Sequence, residues 1–308
     1  MVRNTVRNIT KTAGLQKNKI PKEAVFKVGD RVQLKNKKGQ PWTITLQKDQ
    51  ISHSHKGFLE HNKVIGQFYS SIVENSSGEK YLASLPTYSD TALSLKRGAA
   101  IIYPKDAAQI CLEADLKKGS RVLECGLGSG ALAAYILQIL GDNGQLVSVE
   151  KDSKFAEIAK ANVGEHKNWR VLLGELNEDL VDKKYNNYFD SVIFDMLDPW
   201  NNLDLAFRVL KPGGILVCYI TTVTQLSRLT ESCRAKDCWM EPESYEIIRR
   251  PWHIESLSVR PVHSMIAHTG FIFYTRRLAD SFHPIPKRTK NYSDIDSVND
   301  FVISDVDN

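Results

Sequence analysis

The sequence predicts an α/β protein in which a doubly wound, mostly parallel sheet follows a small N-terminal β domain. From about Ala99 onward, apolar strands alternate with stretches of helical periodicity, an order typical of a parallel sheet with crossover helices. The glycine-rich segment Gly126–Gly130 directly follows the apolar strand Arg121–Glu124, where such sheets carry a ligand-binding turn. From Phe26 to about Tyr88, in contrast, short alternating strands are separated by turn residues.

Hydrophobic spacing and turn residues define the individual elements. In the β domain, the predicted elements are the strands Arg31–Leu34 and Trp42–Leu46, the turn Lys37-Lys38-Gly39, and a linker or connecting helix at Thr87–Gly98. The later predicted strands are Arg121–Glu124, Gln145–Glu150, Trp169–Leu173, Phe189–Asp195, Ile215–Ile220, Tyr245–Arg249 and Gly270–Thr275. The predicted helices are Ala131–Leu140, Ser153–Val163 with Ser153 as its N-cap, and Thr224–Arg234. The predicted domains are residues 1–25 (a basic, flexible N-terminus), 26–88 (the β domain), 89–278 (the α/β domain) and 279–308 (an acidic tail).

Charge is unevenly distributed along the chain. Residues 1–38 carry eleven Lys or Arg and two acidic residues, whereas residues 291–308 carry five Asp and no basic residue. The net charge of +5 therefore belongs to a basic body with an acidic end. A basic body fits a polyanionic partner such as RNA, although an ordinary soluble surface has the same composition.

Composition limits the cellular setting and the classes of function. The chain has 308 residues and no apolar run of about 18 residues, so we expect no membrane span. The basic N-terminus lacks the continuous apolar stretch of a secretory signal, while a transit peptide stays an alternative. Five cysteines without a CxxC pair suit buried, reduced side chains in a cytoplasmic protein. His53, His55 and His61 lack a completing Cys or acid, so we expect no metal site.

The loop after the first apolar strand of the α/β domain predicts a nucleotide-type cofactor site. Its glycines let the backbone turn sharply and approach a ligand closely. Because the spacing also satisfies the dinucleotide fingerprint GxGxxA, both S-adenosylmethionine and NAD are open from the loop alone. Glu150, after the next strand, is placed to accept hydrogen bonds from ribose hydroxyls in either case. Two details favour the methyl donor: the third glycine, Gly130, and Glu124, whose carboxylate can face the donor's ammonium group.

A further acidic residue, Asp195, ends the predicted strand Phe189–Asp195 at the same edge of the sheet as the glycine loop. Where the methyl acceptor is itself a nucleophile, as the N1 atom of an adenine is, the transfer needs positioning more than a strong base. A carboxylate bonded to the exocyclic amine would orient the base and stabilise the positive charge that develops on the ring. The alternatives are that Asp195 caps the following helix and that Trp200 belongs to the core.

Several short segments of the chain match one known family. The most specific are Tyr103–Ala107 (YPKDA) and Asp195–Trp200 (DMLDPW), whereas Lys211–Gly214 (KPGG) is common to methyltransferases in general. The other segments are His53–Gly57, Arg97–Ala108, Thr222–Leu226, Trp252-His253 and Val262–Thr269. Together, from about residue 26 to residue 278, the chain resembles the tRNA (adenine-N1)-methyltransferases that act at position 58 of the T-loop.

The resemblance implies a Rossmann-like class I methyltransferase that uses S-adenosylmethionine to form 1-methyladenosine in tRNA. It implies that Asp195 contacts the target adenine, that Tyr103 lines the pocket near cofactor and target, and that Glu150 binds the cofactor ribose. Glu175 occupies a place where many methyltransferases carry an aspartate near the cofactor's adenine ring. The residues assigned to the cofactor pocket are Glu124, Gly126, Gly128, Ser129, Gly130, Glu150, Glu175 and Asp195. Bacterial members are typically homotetramers, whereas eukaryotic relatives pair a catalytic with a non-catalytic subunit, and this loop and Asp195 resemble the catalytic kind.

Some residues depart from the family's pattern, and two other functions stay open. Cys125 and Leu127 replace the small residue and the threonine usual in the loop, which bears on cofactor affinity. Lys56 and Lys63, with Phe58 nearby, are candidates for contacts with RNA phosphates and bases, or they belong to a solvated face. The alternatives to methylation are a non-catalytic RNA-binding subunit and a nicotinamide oxidoreductase, which affinities for S-adenosylmethionine and NAD would separate.

Overall fold

The computed structural model describes residues 24–96, 98 and 100–285. The predicted basic N-terminus lies almost wholly outside these described residues, and so does the acidic run of the predicted tail. The chain divides into two compact units, Met1–Pro104 and Lys105–Asn308. The predicted boundary after residue 88 and the functions assigned to the predicted domains remain predictions.

The described part of the first unit is a small β structure. Its strands are β1 (Arg31–Asn36), β2 (Pro41–Thr45), β3 (Ile51–Ser54), β4 (Gly57–Glu60), β5 (Ser71–Glu74) and β6 (Lys80–Ser84), with a 3-10 helix at His61–Lys63. Strands β2-β1-β6-β5 form an antiparallel sheet in that order, and β3 and β4 form a separate hairpin. Phe26, Leu34 and Leu59 are buried at the centre of its core. The segment predicted as a linker or helix contains the helix α1 (Tyr88–Ser94), which begins with a capping box.

The remaining elements build the α/β part of the chain. They are α2 (Pro104–Glu113), β7 (Arg121–Cys125), α3 (Ala131–Leu140), β8 (Gln145–Glu150), α4 (Ser153–Val163), β9 (Trp169–Leu173), β10 (Phe189–Phe194), α5 (Leu203–Val209), β11 (Leu210–Ile220), α6 (Val223–Arg234), β12 (Glu243–Tyr245), β13 (Trp252–Glu255), β14 (Ser258–Pro261) and β15 (Phe271–Arg276). Short 3-10 helices lie at Lys183–Tyr185 and Pro199–Asn202. Most predicted strands and helices are present with shifted ends.

Seven of the described strands form one sheet in the order β12-β15-β11-β10-β7-β8-β9. The five strands from β11 to β9 are parallel, and β15 and β12 add antiparallel strands at one side, which confirms the predicted mostly parallel sheet. The chain runs outward from β7 through β8 to β9 and then returns to β10 on the other side of β7. The topological switch point therefore lies between β7 and β10, where ligands of doubly wound sheets bind.

The central strands β7 and β10 carry buried apolar residues in the middle of the sheet. Val122 and Leu123 are adjacent in β7 and are both fully buried. Because adjacent strand residues point to opposite faces, both faces of the sheet are covered. Val192 and Phe194 in β10 are buried to the same extent. The two loops at the switch point therefore begin at the ends of β7 and β10, two strands that pack against the core on both faces.

The predicted strand Tyr245–Arg249 is wrong. The structure has only the short strand β12, which ends at Tyr245 and pairs with β15. Beyond it, the carbonyl oxygen of Ile247 accepts a hydrogen bond from Lys105 Nζ at 2.7 Å. The backbone of this apolar segment is thus bonded to a side chain distant in sequence, which no local pattern indicates.

The predicted N-cap of α4 is also wrong by one residue. Asp152, not Ser153, occupies this position, and its Oδ1 accepts a hydrogen bond from the backbone N–H of Lys154 at 2.8 Å. A carboxylate at this end of a helix also interacts favourably with the helix dipole. The hairpin β13–β14 and the helix α5 are further elements that the periodicity does not predict.

The described residues contain neither a membrane-spanning helix nor a cluster of metal ligands. No helix there has the length and apolar character needed to cross a bilayer. In the same residues, no three His, Cys, Asp or Glu side chains are grouped as metal ligands. His61 has a structural role, because Nδ1 accepts the Gln47 N–H at 3.0 Å and Nε2 lies 2.8 Å from Ser52 Oγ.

Candidate active site

The glycine loop follows β7 at the switch point, and its glycines have conformations that other residues rarely adopt. Gly126, Gly128 and Gly130 have φ angles of 95°, 54° and 79°. A Cβ atom at Gly126 would lie 1.9 Å from the carbonyl oxygen of Asp195. A Cβ atom at Gly130 would lie 2.7 Å from a methyl group of Val163 in α4. The first glycine therefore lets the loop touch the end of β10, and the third lets it touch α4.

Three carboxylates surround this loop. Glu124 is buried, and its Oε2 accepts a hydrogen bond from Ser148 Oγ at 2.6 Å, while Oε1 has no hydrogen-bond partner among the described residues. Glu150, which ends β8, accepts the Gly128 N–H at 2.9 Å and a second backbone N–H through its other oxygen. Asp195 follows β10 directly, and its N–H donates to the Cys125 carbonyl at 2.8 Å. The structure therefore brings the predicted acidic residues together.

Burial, together with the proximity of these acids, raises the pKa values of Glu124 and Asp195. Burial raises the pKa of Glu124 to about 8, and the charges of Asp195 and Glu150 add to this rise against the lowering effect of Ser148. Burial, followed by the charge of Glu150, raises the pKa of Asp195 to about 7. A site in which carboxylates resist ionisation attracts a cation, since a positive ligand stabilises their charged forms. The cluster therefore suits a ligand with a positive charge.

This arrangement makes the stability of the ligand-free protein fall as pH rises. Both folded pKa values lie above the ordinary values of 4.5 for Glu124 and 3.8 for Asp195, so the folded state binds protons more tightly than the unfolded state. The stabilisation is complete below pH 4 and is lost between about pH 4 and pH 8. We expect Glu124→Gln to raise the free energy of unfolding by about 2 kcal/mol at about pH 8.5 and to have little effect at about pH 4.

Denaturant unfolding of the ligand-free protein at the two pH values measures this effect. Glu157→Gln is the matched control, because Glu157 is exposed on α4. The same pH dependence in both variants and the wild type would contradict a carboxylate cluster under mutual repulsion.

Three predicted site residues remain, and they lie in different parts of the chain: Ser129, Glu175 and Tyr103. Ser129 is buried in the loop, and its carbonyl accepts a hydrogen bond from Asn162 Nδ2 at 2.9 Å. Glu175 is exposed just after β9; the N–H of the preceding Gly174 donates to the Glu150 carbonyl at 2.9 Å. Tyr103 belongs to the first unit and directly precedes α2. Its predicted place in the pocket remains a prediction.

The loop after Asp195 is held by α6, a contact that the sequence does not predict, although Thr222–Leu226 is one of the segments that match the family. Gln225 Nε2 donates to the carbonyl of Leu197 at 2.9 Å, and the Arg228 guanidinium lies 4.4 Å above the centre of the Trp200 ring. Trp200 is half-buried against the core, and Asp198 makes no side-chain cap to the 3-10 helix that follows. The signal for Gln225 is present in the sequence, because Thr222 and Gln225 have the spacing of a capping box.

Fold and site together define a class of protein. In the described chain, the mostly parallel sheet has seven strands, with a glycine loop after β7 and acidic residues where β8 and β10 end. This arrangement is that of the Rossmann-like class I methyltransferases. Residues 85–270 match the family model of the tRNA methyltransferase complex GCD14 subunit, and residues 25–73 match that of the TrmI-like N-terminal domain. The chain belongs to this family of tRNA methyltransferases.

Individual relatives agree with this placement. The tRNA (adenine(58)-N(1))-methyltransferase TrmI of Thermus thermophilus is 30% identical over 247 residues, which cover 79% of this chain and 95% of that protein. The tRNA (m1A58) methyltransferase TrmI of Aquifex aeolicus has a similar structure, with a TM-score of 0.69, 26% identity, and coverage of 83% of this chain and 99% of that one. A Thermotoga maritima structure described as an S-adenosylmethionine-dependent O-methyltransferase has a TM-score of 0.75 and 27% identity, covering 83% and 96% of the two chains.

Proposed function

We propose that the chain transfers the methyl group of S-adenosylmethionine to N1 of adenosine 58 in tRNA, giving 1-methyladenosine. The observation that carries this proposal is the Asp195 carboxyl at the switch point, next to the glycine loop and with a pKa raised to about 7. The names of the Thermus and Aquifex relatives support the choice of position 58.

The residues of the loop fit this donor. Glu124 has a buried, unpartnered carboxylate oxygen among the described residues, which suits the donor's ammonium group. Glu150 already orders the loop through Gly128, and the second lone pair of each of its oxygens is free to accept a ribose hydroxyl. Glu175 directly follows Gly174 at the end of β9 and is exposed, and its assignment to the donor's adenine rests on the resemblance to other methyltransferases. When bound, the donor supplies a methyl group on a positively charged sulfonium.

Asp195 orients the target base in this proposal. Its carboxylate accepts a hydrogen bond from the exocyclic amine of adenine, which directs the N1 lone pair toward the methyl group. The same carboxylate stabilises the positive charge that the ring gains on methylation. N1 lies on the Watson–Crick edge, so the base must be unpaired or flipped out of its stack to enter. Tyr103 lines this pocket as the family resemblance implies.

Contacts between the first unit and RNA also remain a proposal. Lys56 Nζ lies 3.0 Å from Glu79 Oε1, and Lys63 Nζ lies 3.0 Å from Glu60 Oε1. These lysines are therefore ion-paired within the unit, and a phosphate would have to compete with a carboxylate for each of them. The Lys63–Glu60 pair is exposed and therefore weak enough to permit this exchange, whereas Glu79 is mostly buried and holds Lys56 more firmly.

We propose self-association into the homotetramer typical of bacterial members, and the hairpin β13–β14 supports it. Trp252 pairs with Pro261 and Ile254 with Val259, so these four side chains share one face. Ile254 is 74% exposed and Trp252 55% exposed. A two-stranded hairpin with an exposed apolar face is marginally stable by itself and gains by packing against another surface.

We expect Ile254→Arg to reduce the mass of the assembly, because a charge in a self-packed apolar face stays desolvated and unpaired. Light scattering after size-exclusion chromatography measures the mass. Leu112→Arg is the control, since Leu112 is 67% exposed on α2. A wild-type protein that is monomeric, or an Ile254→Arg variant with the wild-type mass, would contradict the proposal.

Labelled donor and unmodified tRNA transcripts test the reaction itself. Digestion and mass spectrometry should show label in 1-methyladenosine from a transcript with adenosine 58 and none from a transcript with guanosine there. Label on a ribose oxygen or on another base atom would overturn the proposal. Retention of tRNA without affinity for S-adenosylmethionine would instead show a non-catalytic RNA-binding subunit.

A further inference from the structure

A closed set of hydrogen bonds joins the start of α2 to the segment before β15. Lys105 Nζ donates to Asp106 Oδ1 at 2.7 Å, to Thr269 Oγ1 at 2.6 Å and to the Ile247 carbonyl at 2.7 Å. Thr269 Oγ1 donates in turn to Asp106 Oδ2 at 2.7 Å. Lys105, Asp106 and Thr269 are called the buried ring below. All three N–H groups of the Lys105 ammonium and both carboxylate oxygens of Asp106 are therefore hydrogen-bonded.

The burial of this ring requires an explanation other than stability. Asp106 is completely buried, and the Lys105 side chain is only 12% exposed. Taking two charges out of water costs about as much as their attraction returns, so apolar residues of similar volume would serve folding equally well. A buried ion pair with complete hydrogen bonding does, however, fix the geometry of the segments that carry it.

The ring meets the central sheet at Tyr219 of β11. The Tyr219 hydroxyl lies 3.5 Å from Asp106 Oδ2. On the other side, the tyrosine ring touches Gly270 so closely that a Cβ atom there would lie 2.5 Å from its Cζ. Burial raises the pKa of Tyr219 well above its usual range, and the charges of Asp106 and Asp195 contribute to the rise. The neutral Tyr219 side chain is therefore held between the buried ring and the backbone of Gly270.

Tyr219 lies beside the carboxylate assigned to the target base. Phe194 of β10 pairs with Cys218 of β11, so the next residues, Asp195 and Tyr219, are level on adjacent strands. Through Tyr219, the buried ring is thus connected with the residue that is assigned to the target adenine.

We propose that the buried ring positions the target-base pocket: through Tyr219, it fixes the sheet edge at Asp195. The ring residues do not touch the reacting atoms and act as positioning residues. Loosening the ring should leave the donor site intact and misalign N1 with the methyl group. The inference rests on the proposed function.

Thr269→Val tests the proposal, because it removes the hydroxyl that bridges Lys105 and Asp106 at nearly constant volume. Under conditions where circular dichroism shows the fold, we expect kcat to fall about tenfold and KM for the donor to stay within about twofold. Thr269→Ser should restore kcat. Thr275→Val is the matched control: Thr275 is a 2% exposed threonine at the far end of β15, and its hydroxyl donates to the Met240 carbonyl at 2.7 Å.

Equal kcat in Thr269→Val and Thr275→Val would overturn the proposal, since it would reduce the ring to general stability. If Thr269→Val does not fold, Tyr219→Phe decides the question, because it removes only the hydroxyl. A lowered kcat at unchanged donor KM supports positioning, and a wild-type kcat overturns it. Identification of the methylated atom separates the two proposals. If the product is not 1-methyladenosine but kcat falls in Thr269→Val and not in Thr275→Val, only the proposed function is refuted.

Discussion

Replacement of Asp195 should nearly abolish methyl transfer while leaving the donor bound. We expect kcat to fall about 100-fold in Asp195→Asn and about 1,000-fold in Asp195→Ala. Asparagine keeps an oxygen that can accept a hydrogen bond from the adenine amine but lacks the negative charge, and alanine lacks both. Single-turnover methylation measures the rate, and calorimetric titration should show a donor Kd within about tenfold of the wild type.

The matched control for this experiment is Asp190→Asn. Asp190 lies near the other end of β10 and pairs with Lys211, so its replacement removes an acid from the same strand but not from the site. Wild-type turnover in Asp195→Asn would remove Asp195 from its assigned role.

The pH profile of the wild type adds an independent readout. Because the pKa of Asp195 is raised to about 7, the carboxyl is mostly protonated below that pH and ionised above it. The ratio kcat/KM for the donor, which reports the ligand-free protein, should therefore rise with pH through about pH 7, and this inflection should be absent in Asp195→Asn.

A methyl group at Gly126 should be the most damaging small change in the loop. In Gly126→Ala, the added Cβ would lie 1.9 Å from the Asp195 carbonyl oxygen, in a residue with a φ angle of 95°. Clash and backbone strain add, so we expect the free energy of unfolding to fall by about 3 kcal/mol or more. The loop must also separate from β10, which should abolish measurable donor binding.

Gly119→Ala separates strain from clash. Gly119 has a similar φ angle of 87°, and apart from its two chain neighbours no described residue has an atom within 4 Å of a Cβ atom added there. We expect it to cost about 1 kcal/mol and to leave donor binding unchanged. Equal losses of stability and donor affinity in the two variants would contradict the close contact between the loop and the end of β10.

The sequence predicted those parts of the molecule that depend on neighbours along the chain. The glycine loop and the acids at strand ends follow from local patterns, and the order of strands and helices places them at one edge of a parallel sheet. The predicted N-cap of α4 was wrong by one residue, because Asp152 and Ser153 are adjacent and both residue types are good N-caps.

Other features depend on contacts between distant parts of the chain. Lys105 and Ile247 are 142 positions apart in sequence, and no periodicity indicates that they meet. The same holds for Tyr219 and Asp106, which are 113 positions apart. The raised pKa values of Glu124 and Asp195 likewise arise only when the fold buries these side chains and brings the acids of three strands together. Such features require the fold itself.

A structure of the protein with donor and an RNA T-arm tests the central claim most directly. We predict an adenine flipped toward the end of β10, with its exocyclic amine within about 3.2 Å of an Asp195 carboxylate oxygen and its N1 facing the donor's methyl group. An empty crevice above the glycine loop, or an Asp195 carboxylate turned away from the base, would contradict it.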